Sequence, residues 1–204
     1  MKVERNEVIY TEGESGEDLF FVEAGRVKVA RSSICGKGCL LDLYVPGEIF
    51  GESCLSSPLR TETATAMMSS SLYRIPRRRF LVTMGEGRIP LEDWLRYLTA
   101  RLTDQKRLIT LMVTKESEQR LAAILWRLAR RLGKPDPLNP LSIRIPQMIT
   151  HQELAEMVGT TRSRIGYFLK HFRDLGLIHT EAPHLVIDSG SLLVYAEEFH
   201  LEEC

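Results

Sequence analysis

The stretch Ile149-Thr150-His151-Gln152-Glu153-Leu154-Ala155-Glu156-Met157-Val158-Gly159, followed at once by Thr160-Thr161-Arg162-Ser163-Arg164-Ile165-Gly166-Tyr167-Phe168-Leu169-Lys170, reads as two short helices about a tight turn. Each position has a steric cause. Ala155 falls where the helices cross and a larger side chain would push them apart, and Gly159 supplies the positive φ that the turn needs. Leu154, Val158, Ile165, Phe168 and Leu169 provide the apolar contacts that set the crossing angle. Thr150 is a candidate N-cap with Glu153 completing a capping box, and Thr160 or Thr161 can cap the second helix.

Off the apolar face of the second helix lie Arg162, Ser163, Tyr167 and, toward its end, Lys170 and Arg173, with no acid between Thr160 and Arg173. This local patch matters because the whole chain is neutral, with 27 Lys plus Arg against 27 Asp plus Glu in 204 residues. Net charge therefore gives no argument for nucleic acid, and a DNA reading rests on the patch alone. Arg162 at the helix start can reach guanine O6 and N7 with paired donors. Thr150, Gln152 and Lys170 are placed for phosphates, and Thr161, Ser163 and Tyr167 complete the expected DNA-contacting set.

Working outward, Leu141 to Ile145 reads as a short strand before the helix pair, and Leu185-Val186-Ile187 belongs to a terminal hairpin after it. Strand, helix pair and hairpin make a winged helix-turn-helix. Further upstream, Glu118 to Leu132 is helical, with Leu121, Ile124, Leu125, Leu128 and Leu132 on one face, and is stopped by Gly133, Pro135, Pro137 and Pro140. Leu91, Leu95, Leu98, Leu102, Gln105, Ile109 and Met112 alternate by four and three, the seam of a long helix from Pro90 to about Val113. The alternatives for this helix are a dimer seam or a buried monomer helix, and the polar Gln105 at a seam position favours an interface or a ligand contact. Leu108 and Leu111 form a second apolar face, expected to rest on the N-terminal domain.

From Val8 to about Ile75 the pattern changes to short apolar or alternating runs, Leu19 to Val22, Val27 to Ala30, Leu40 to Val45 and Leu72 to Ile75, punctuated by glycines. Strands at this spacing indicate an all-β sandwich or barrel that ends near Pro76. Within it, Pro46-Gly47-Glu48-Ile49-Phe50-Gly51-Glu52-Ser53 and Arg60-Thr61-Glu62-Thr63-Ala64-Thr65-Ala66 hold the parts of an anion cradle: amides at a glycine turn, a hydroxyl and an arginine for a phosphate, and a carboxylate for a ribose hydroxyl. The competing reading is that Glu52 and Arg60 simply pair and no nucleotide binds.

No Gly-x-Ser-x-Gly, His-Glu-x-x-His, phosphate loop or paired carboxylate site is present, so no catalytic residue is assigned and the chain is not expected to be an enzyme. The four cysteines, Cys35, Cys39, Cys54 and Cys204, are too scattered for a disulfide framework. No metal site is assigned. No apolar stretch approaches a membrane span, and Met1-Lys2-Val3-Glu4-Arg5 lacks the core of a secretory signal, so a cytoplasmic protein without a membrane partner is expected.

On these motifs the chain resembles, over nearly its whole length, the cyclic AMP receptor protein and FNR family of bacterial transcription regulators, and Ile149 to Ile178 is similar to that family's DNA-binding element. The resemblance implies an α+β fold: a cyclic-nucleotide-binding-like β-roll over residues 1–89, a dimerisation helix over 90–115 and a winged helix-turn-helix domain over 116–204. It implies a homodimer on a palindromic operator, contact with RNA polymerase, and a cyclic nucleotide, cAMP or cGMP, as candidate effector. Arg162 takes the place of the guanine-reading arginine. Ser163 stands where the receptor protein has a reading glutamate and Tyr167 where it has a second reading arginine, so the target sequence is expected to differ. Gly51, Glu52, Arg60 and Thr61 match the phosphate-binding cassette, with Ser53 beside them.

By the resemblance, Gln105 and Lys106 occupy the positions of the family's base-contacting Thr-Ser pair; Gln105 has the groups to bond a base edge, while Lys106 changes the charge there. The same scaffold serves two alternatives, a cyclic-nucleotide-binding regulatory protein without DNA contact and a redox or haem sensor with a degenerate nucleotide site. Against an iron–sulfur sensor, the cysteines do not form the N-terminal cluster such members carry. Cys35 and Cys39 can still form a thiol pair. His151, His171, His179, His184 and His200 all fall in the DNA-binding half, which leaves only cysteine as a haem ligand in the sensor. The chain begins close to its first β-turn, Val8 to Gly13, without the N-terminal helix of many relatives.

Overall fold

A computed structural model describes residues 1–34, 36–87, 90–137, 139, 141–145, 149–181 and 184–198; Cys35, Pro140, His200 and Cys204, singled out above, lie outside the described residues. The chain forms two compact units, Met1–Thr99 and Ala100–Cys204.

In the first unit two four-stranded antiparallel sheets face each other. One has the order β1 (Lys2–Val3), β8 (Ser70–Pro76), β3 (Asp18–Ala24), β6 (Ile49–Phe50), and the other β2 (Val8–Tyr10), β7 (Thr63–Ala66), β4 (Val27–Ser32), β5 (Gly38–Tyr44). The inward residues of alternating strands make the core. Tyr10, Phe20, Tyr44 and Phe50 bring their rings together at 5.2 to 6.1 Å between centroids, among Val22, Val27, Ala64, Ala66 and Leu72. Burying one such Phe ring contributes about 1.5–3 kcal/mol. The β3–β4 turn admits only glycine: Gly25 has φ 89°, and a Cβ there would lie 2.1 Å from the Ser70 hydroxyl.

The strand pattern does end at Pro76, but a helix that the sequence reading did not anticipate follows, α1 (Arg77–Gly85). Its Phe80 joins Leu19, Cys54 and Trp94 in a second small core. Trp94 comes from α2 (Leu91–Thr114), whose opening turns belong to the first unit. There Phe80 meets Trp94 edge-on at 4.9 Å, and the Tyr97 hydroxyl accepts from Ile49 N at 3.1 Å and donates to Ile49 O at 2.7 Å. Along α2, four of the seven stripe positions, Leu91, Leu95, Leu102 and Ile109, are 52 to 63 % exposed, whereas Leu98, Gln105 and Met112 are half-buried, Leu98 against the small core of Phe80 and Trp94; Val113, off the stripe, is also exposed.

In the second unit α3 (Ser117–Leu132) buries the predicted face, Leu121, Ile124, Leu125, Leu128 and Leu132. Then come β9 (Lys134–Pro135), β10 (Ser142–Ile145), α4 (His151–Val158), α5 (Arg162–Asp174), β11 (Ile178–Glu181), β12 (His184–Asp188) and α6 (Ser189–Glu198). The sheet order β11-β12-β10-β9 places the β11–β12 hairpin as the wing. Helix α6, also unanticipated, packs through Tyr195 against Phe172 of α5 at 5.6 Å. No described helix is long and apolar enough to cross a membrane.

Candidate DNA interface and effector pocket

The turn between α4 and α5 is built as its residues require. Thr150 accepts from Glu153 N at 3.1 Å while Glu153 accepts from Thr150 N at 2.9 Å, a reciprocal capping box. Gly159 closes α4 in the left-handed conformation, φ 70° and ψ 42°, its N–H donating to Ala155 O. Of the two candidate caps for α5 it is Thr161 that accepts from Arg164 N, at 3.3 Å. Ala155 is buried at the crossing, and Ile165, Phe168, Leu169 and Phe172 hold α5 down.

What remains on α5 faces solvent. Thr161, Arg162, Ser163, Tyr167 and Lys170 are all exposed, and the Thr161 and Ser163 hydroxyls lie 3.1 Å apart. The first turn of α5 holds no acid, and the positive helix end favours an approaching phosphate. Two of the expected phosphate contacts also work internally: the Thr150 hydroxyl donates to Glu153 at 2.8 Å, and the Gln152 amide donates to Glu156 at 2.9 Å. Arg164 was overlooked in the sequence; it is exposed on α5 with its guanidinium 5.5 Å from the Phe168 ring centroid. At the wing, Arg144 bridges buried Asp136 at 3.0 Å and Glu181 at 2.5 Å, which ties β10 to β11 and neutralises an acid on the hairpin.

In the first unit the cassette residues fall on a tight turn. Gly51 has φ 81°, and a 3-10 turn, Glu52–Leu55, follows with Glu52 and Ser53 half-buried. Arg60 is brought to Gly51 by a clamp of backbone bonds in which Gly13 N donates to Arg60 O, Arg60 N to Glu14 O and Gly16 N to Pro58 O, at 2.8 to 2.9 Å. The guanidinium is 4 % exposed and directed inward. Nη1 donates to Gly51 O at 3.1 Å, Nη2 donates to Asp18 O at 2.8 Å, and the plane lies 4.2 Å from the Tyr10 ring centroid. Only a residue without a side chain fits beside it, since a Cβ on Gly16 would lie 2.5 Å from Arg60 Nε.

Arg60 forms part of the wall of a cavity of about 530 Å3 shared with Tyr10, Gly16, Asp18, Arg74 and Arg77. Among the described residues, Arg60 Nε and the Ser53 hydroxyl are buried without a hydrogen-bond partner. Thr61 is exposed and donates to Glu62, away from the Arg60 guanidinium's bonds. Burial, then the charge of Glu62 and its hydrogen bond, push the Tyr10 phenol far above its usual range. Gln105 is half-buried and Lys106 exposed on α2. Cys54 is buried, and burial raises its thiol, which disfavours a reactive thiolate; Cys39 is exposed. Among the described residues no group of three or more His, Cys, Asp or Glu is arranged to hold a metal ion.

A sheet sandwich carrying an arginine cassette and a capped helix pair with a wing define an effector-controlled DNA-binding regulator. Comparison with known proteins agrees: residues 1–86 match the cyclic nucleotide-binding domain and residues 119–193 the Crp-like helix-turn-helix domain. The chain is 26 % identical over 190 residues to a CRP-like cAMP-activated global transcriptional regulator of Mycobacterium tuberculosis, covering 93 % of this chain and 84 % of that one. It is 19 % identical over 191 residues to the fumarate and nitrate reduction regulatory protein of Escherichia coli, covering 94 % and 75 %. A solved CRP-family transcriptional regulator of Thermus thermophilus superposes with a TM-score of 0.79 at 25 % identity, over 97 % of this chain and 96 % of that one. The chain belongs to the CRP/FNR family of transcription regulators.

Proposed function

We propose that this regulator acts as a homodimer that reads a palindromic operator with α5 and answers to an anionic effector in the β-roll, a cyclic nucleotide being the candidate. The observation that carries the DNA half is the division of α5, with Ile165, Phe168, Leu169 and Phe172 buried and Arg162, Ser163, Tyr167 and Lys170 left in solvent. Arg162 reads guanine, Ser163 and Tyr167 set a preference of their own, and Thr150, Gln152, Thr161 and Lys170 hold phosphates. The exposed stripe positions on α2 support a two-fold seam, which spaces two reading helices one DNA turn apart. The working division is residues 1–89 for sensing, 90–115 for dimerisation and 116–204 for DNA. RNA polymerase is the expected further partner and the cytoplasm the expected compartment; no enzymatic activity is proposed.

For the effector, the buried Ser53 hydroxyl and Arg60 Nε offer donors to an incoming phosphate, and Arg60 can exchange the carbonyls of Gly51 and Asp18 for phosphate oxygens. Gly51 and Thr61 flank this position and Glu52 is the candidate ribose contact, while Gln105 and Lys106 are the residues proposed to face the base. Binding would then shift the junction between α2, ending at Thr114, and α3, starting at Ser117, and reorient α5. The test is operator selection from random duplexes followed by affinity measurement across a salt series, with and without cyclic AMP and cyclic GMP. Arg162→Ala is expected to lose about 1–3 kcal/mol on the selected site and to relax one base position. An unchanged profile removes Arg162 as reader, and absence of salt-sensitive binding under every condition removes the DNA-binding proposal.

A further inference from the structure

Aliphatic side chains from five elements of the second unit meet around one cavity of about 580 Å3: Leu125 and Leu128 of α3, Ile145 of β10, Leu154 of α4, Leu169 of α5 and Leu185 of β12. Its polar lining comes from the start of α4, with Thr150, His151 and Gln152, and from α5, with Arg162 and Arg173. The aliphatic residues are buried, Leu185 half-buried, while the polar ones are exposed and so frame the mouth. A Cβ on Gly166 would lie 3.8 Å from His151 Nδ1, which sets the start of α4 one turn of α5 beyond Arg162. Among the described residues the lining holds no carboxylate and no Phe, Tyr or Trp ring.

Position in the helix explains Arg173 but not Arg162. Arg173 falls in the last turn of α5, where the dipole favours a cation; Arg162 opens the helix, where the dipole opposes one and no acid of the first turn offsets it. Such a placement suits an incoming anion. DNA supplies one, yet a duplex offers only thymine methyl groups to an aliphatic floor. The DNA reading therefore accounts for the rim and leaves the floor unused.

We infer that this cavity binds an amphipathic carboxylate, its medium-length saturated chain on the aliphatic floor and its head on Arg162. The volume falls within the roughly 300–1,000 Å3 of small-molecule sites, which are likewise mostly apolar with a few polar groups that fix orientation. Water against such a floor finds hydrogen-bond partners only at the rim, so its displacement by an alkyl chain is favourable. A planar ring would want an aromatic wall to stack on, and a flexible chain does not. The guanidinium takes a carboxylate through two parallel N–H donors. A head group there occupies the side chain proposed to read guanine, so ligand and DNA exclude each other. That exclusion rests on the proposed DNA role of Arg162; the binding of the carboxylate does not.

Decanoate is titrated into the full-length chain by calorimetry, with acetate and 1-decanol as controls for the charge alone and the chain alone. Displacement of a duplex selected on the parent protein is followed in parallel. Saturable binding of one decanoate per chain is expected, with 1-decanol about tenfold weaker or more. Arg162→Gln should weaken decanoate by a similar factor and leave 1-decanol unchanged, a split that a merely structural role does not give. Leu185→Phe fills the cavity and should weaken both ligands about tenfold, while its duplex stays bound in decanoate. Thr180→Phe, an exposed position on the same wall, takes its place if Leu185→Phe lowers the melting temperature. The inference is overturned if decanoate binds no better than acetate or 1-decanol, if Arg162→Gln binds decanoate like the parent, or if the filled cavity does. A parent that binds decanoate but no duplex removes the DNA reading and leaves the carboxylate site standing.

Discussion

Arg60 and Arg162, one in each unit, put the same side chain to opposite uses. Arg60 is enclosed, with its donors on the carbonyls of Gly51 and Asp18 and its plane on Tyr10; Arg162 opens a helix and stands in solvent. The sensing half thus carries its charged group as part of the core, where it must be displaced or completed before a ligand can use it. The reading half presents its charge ready-made on a helix that is capped and packed from below. Stability and the proposed ligand contact coincide at Arg60, whereas the proposed base contact at Arg162 stands apart from the core.

The strongest way to break this contrast is Arg60→Ala. Asp18 O and Gly51 O lose the Arg60 guanidinium, Gly51 O keeping Cys54 N at 3.3 Å, and the Tyr10 face is uncovered, so about 3 kcal/mol or more of the first unit's stability should disappear, read by urea unfolding. A loss below about 0.5 kcal/mol would show that Arg60 is as dispensable to the fold as a surface residue. Next in size is a pH effect confined to the same unit. The Tyr10 phenol is raised by burial and by Glu62, so the folded state holds its proton beyond the ordinary phenol value of about 10. Its contribution is fully present below that value and is lost as pH rises above it, by up to about 1.4 kcal/mol per pH unit. Melting temperatures of the parent and Tyr10→Phe between pH 8 and pH 11 should therefore converge as pH rises; parallel curves would contradict the assignment.

Smaller still, Thr150→Ala removes the cap of α4 and should cost the second unit about 1 kcal/mol without moving the unfolding of the first. The smallest expected change is in Arg162→Ala, whose stability should stay within about 0.5 kcal/mol of the parent even as its DNA affinity falls. Comparable losses in both arginine variants would erase the distinction between the two units.

The sequence disclosed the reading half more fully than the sensing half, for reasons of range. The helix pair is local: Thr150, Glu153, Ala155, Gly159 and Thr161 lie within 12 residues and their roles follow from spacing alone. The pocket is not local. Arg60 is oriented by Tyr10, Gly16 and Asp18, more than 40 residues earlier, and no periodicity announces that their loops will clamp together. Helix α1 escaped because its residues, Arg77-Arg78-Arg79-Phe80, bury only Phe80 and begin without a side-chain cap. The long helix of α2 was legible, yet its opening turns also serve the first unit through Trp94 and Tyr97, a use that a heptad pattern does not show.

Helix α3 begins by capping itself: Gln119 accepts from Glu116 N at 3.1 Å, and the Glu116 side chain returns the favour to the Gln119 backbone. Its first amides are thus satisfied by its own residues, whatever the preceding helix does. The start of α3 is therefore written into its own first turn, and a side-chain hydrogen bond back to α2, from Arg120 to Met112 O at 3.0 Å, comes after that turn is already closed.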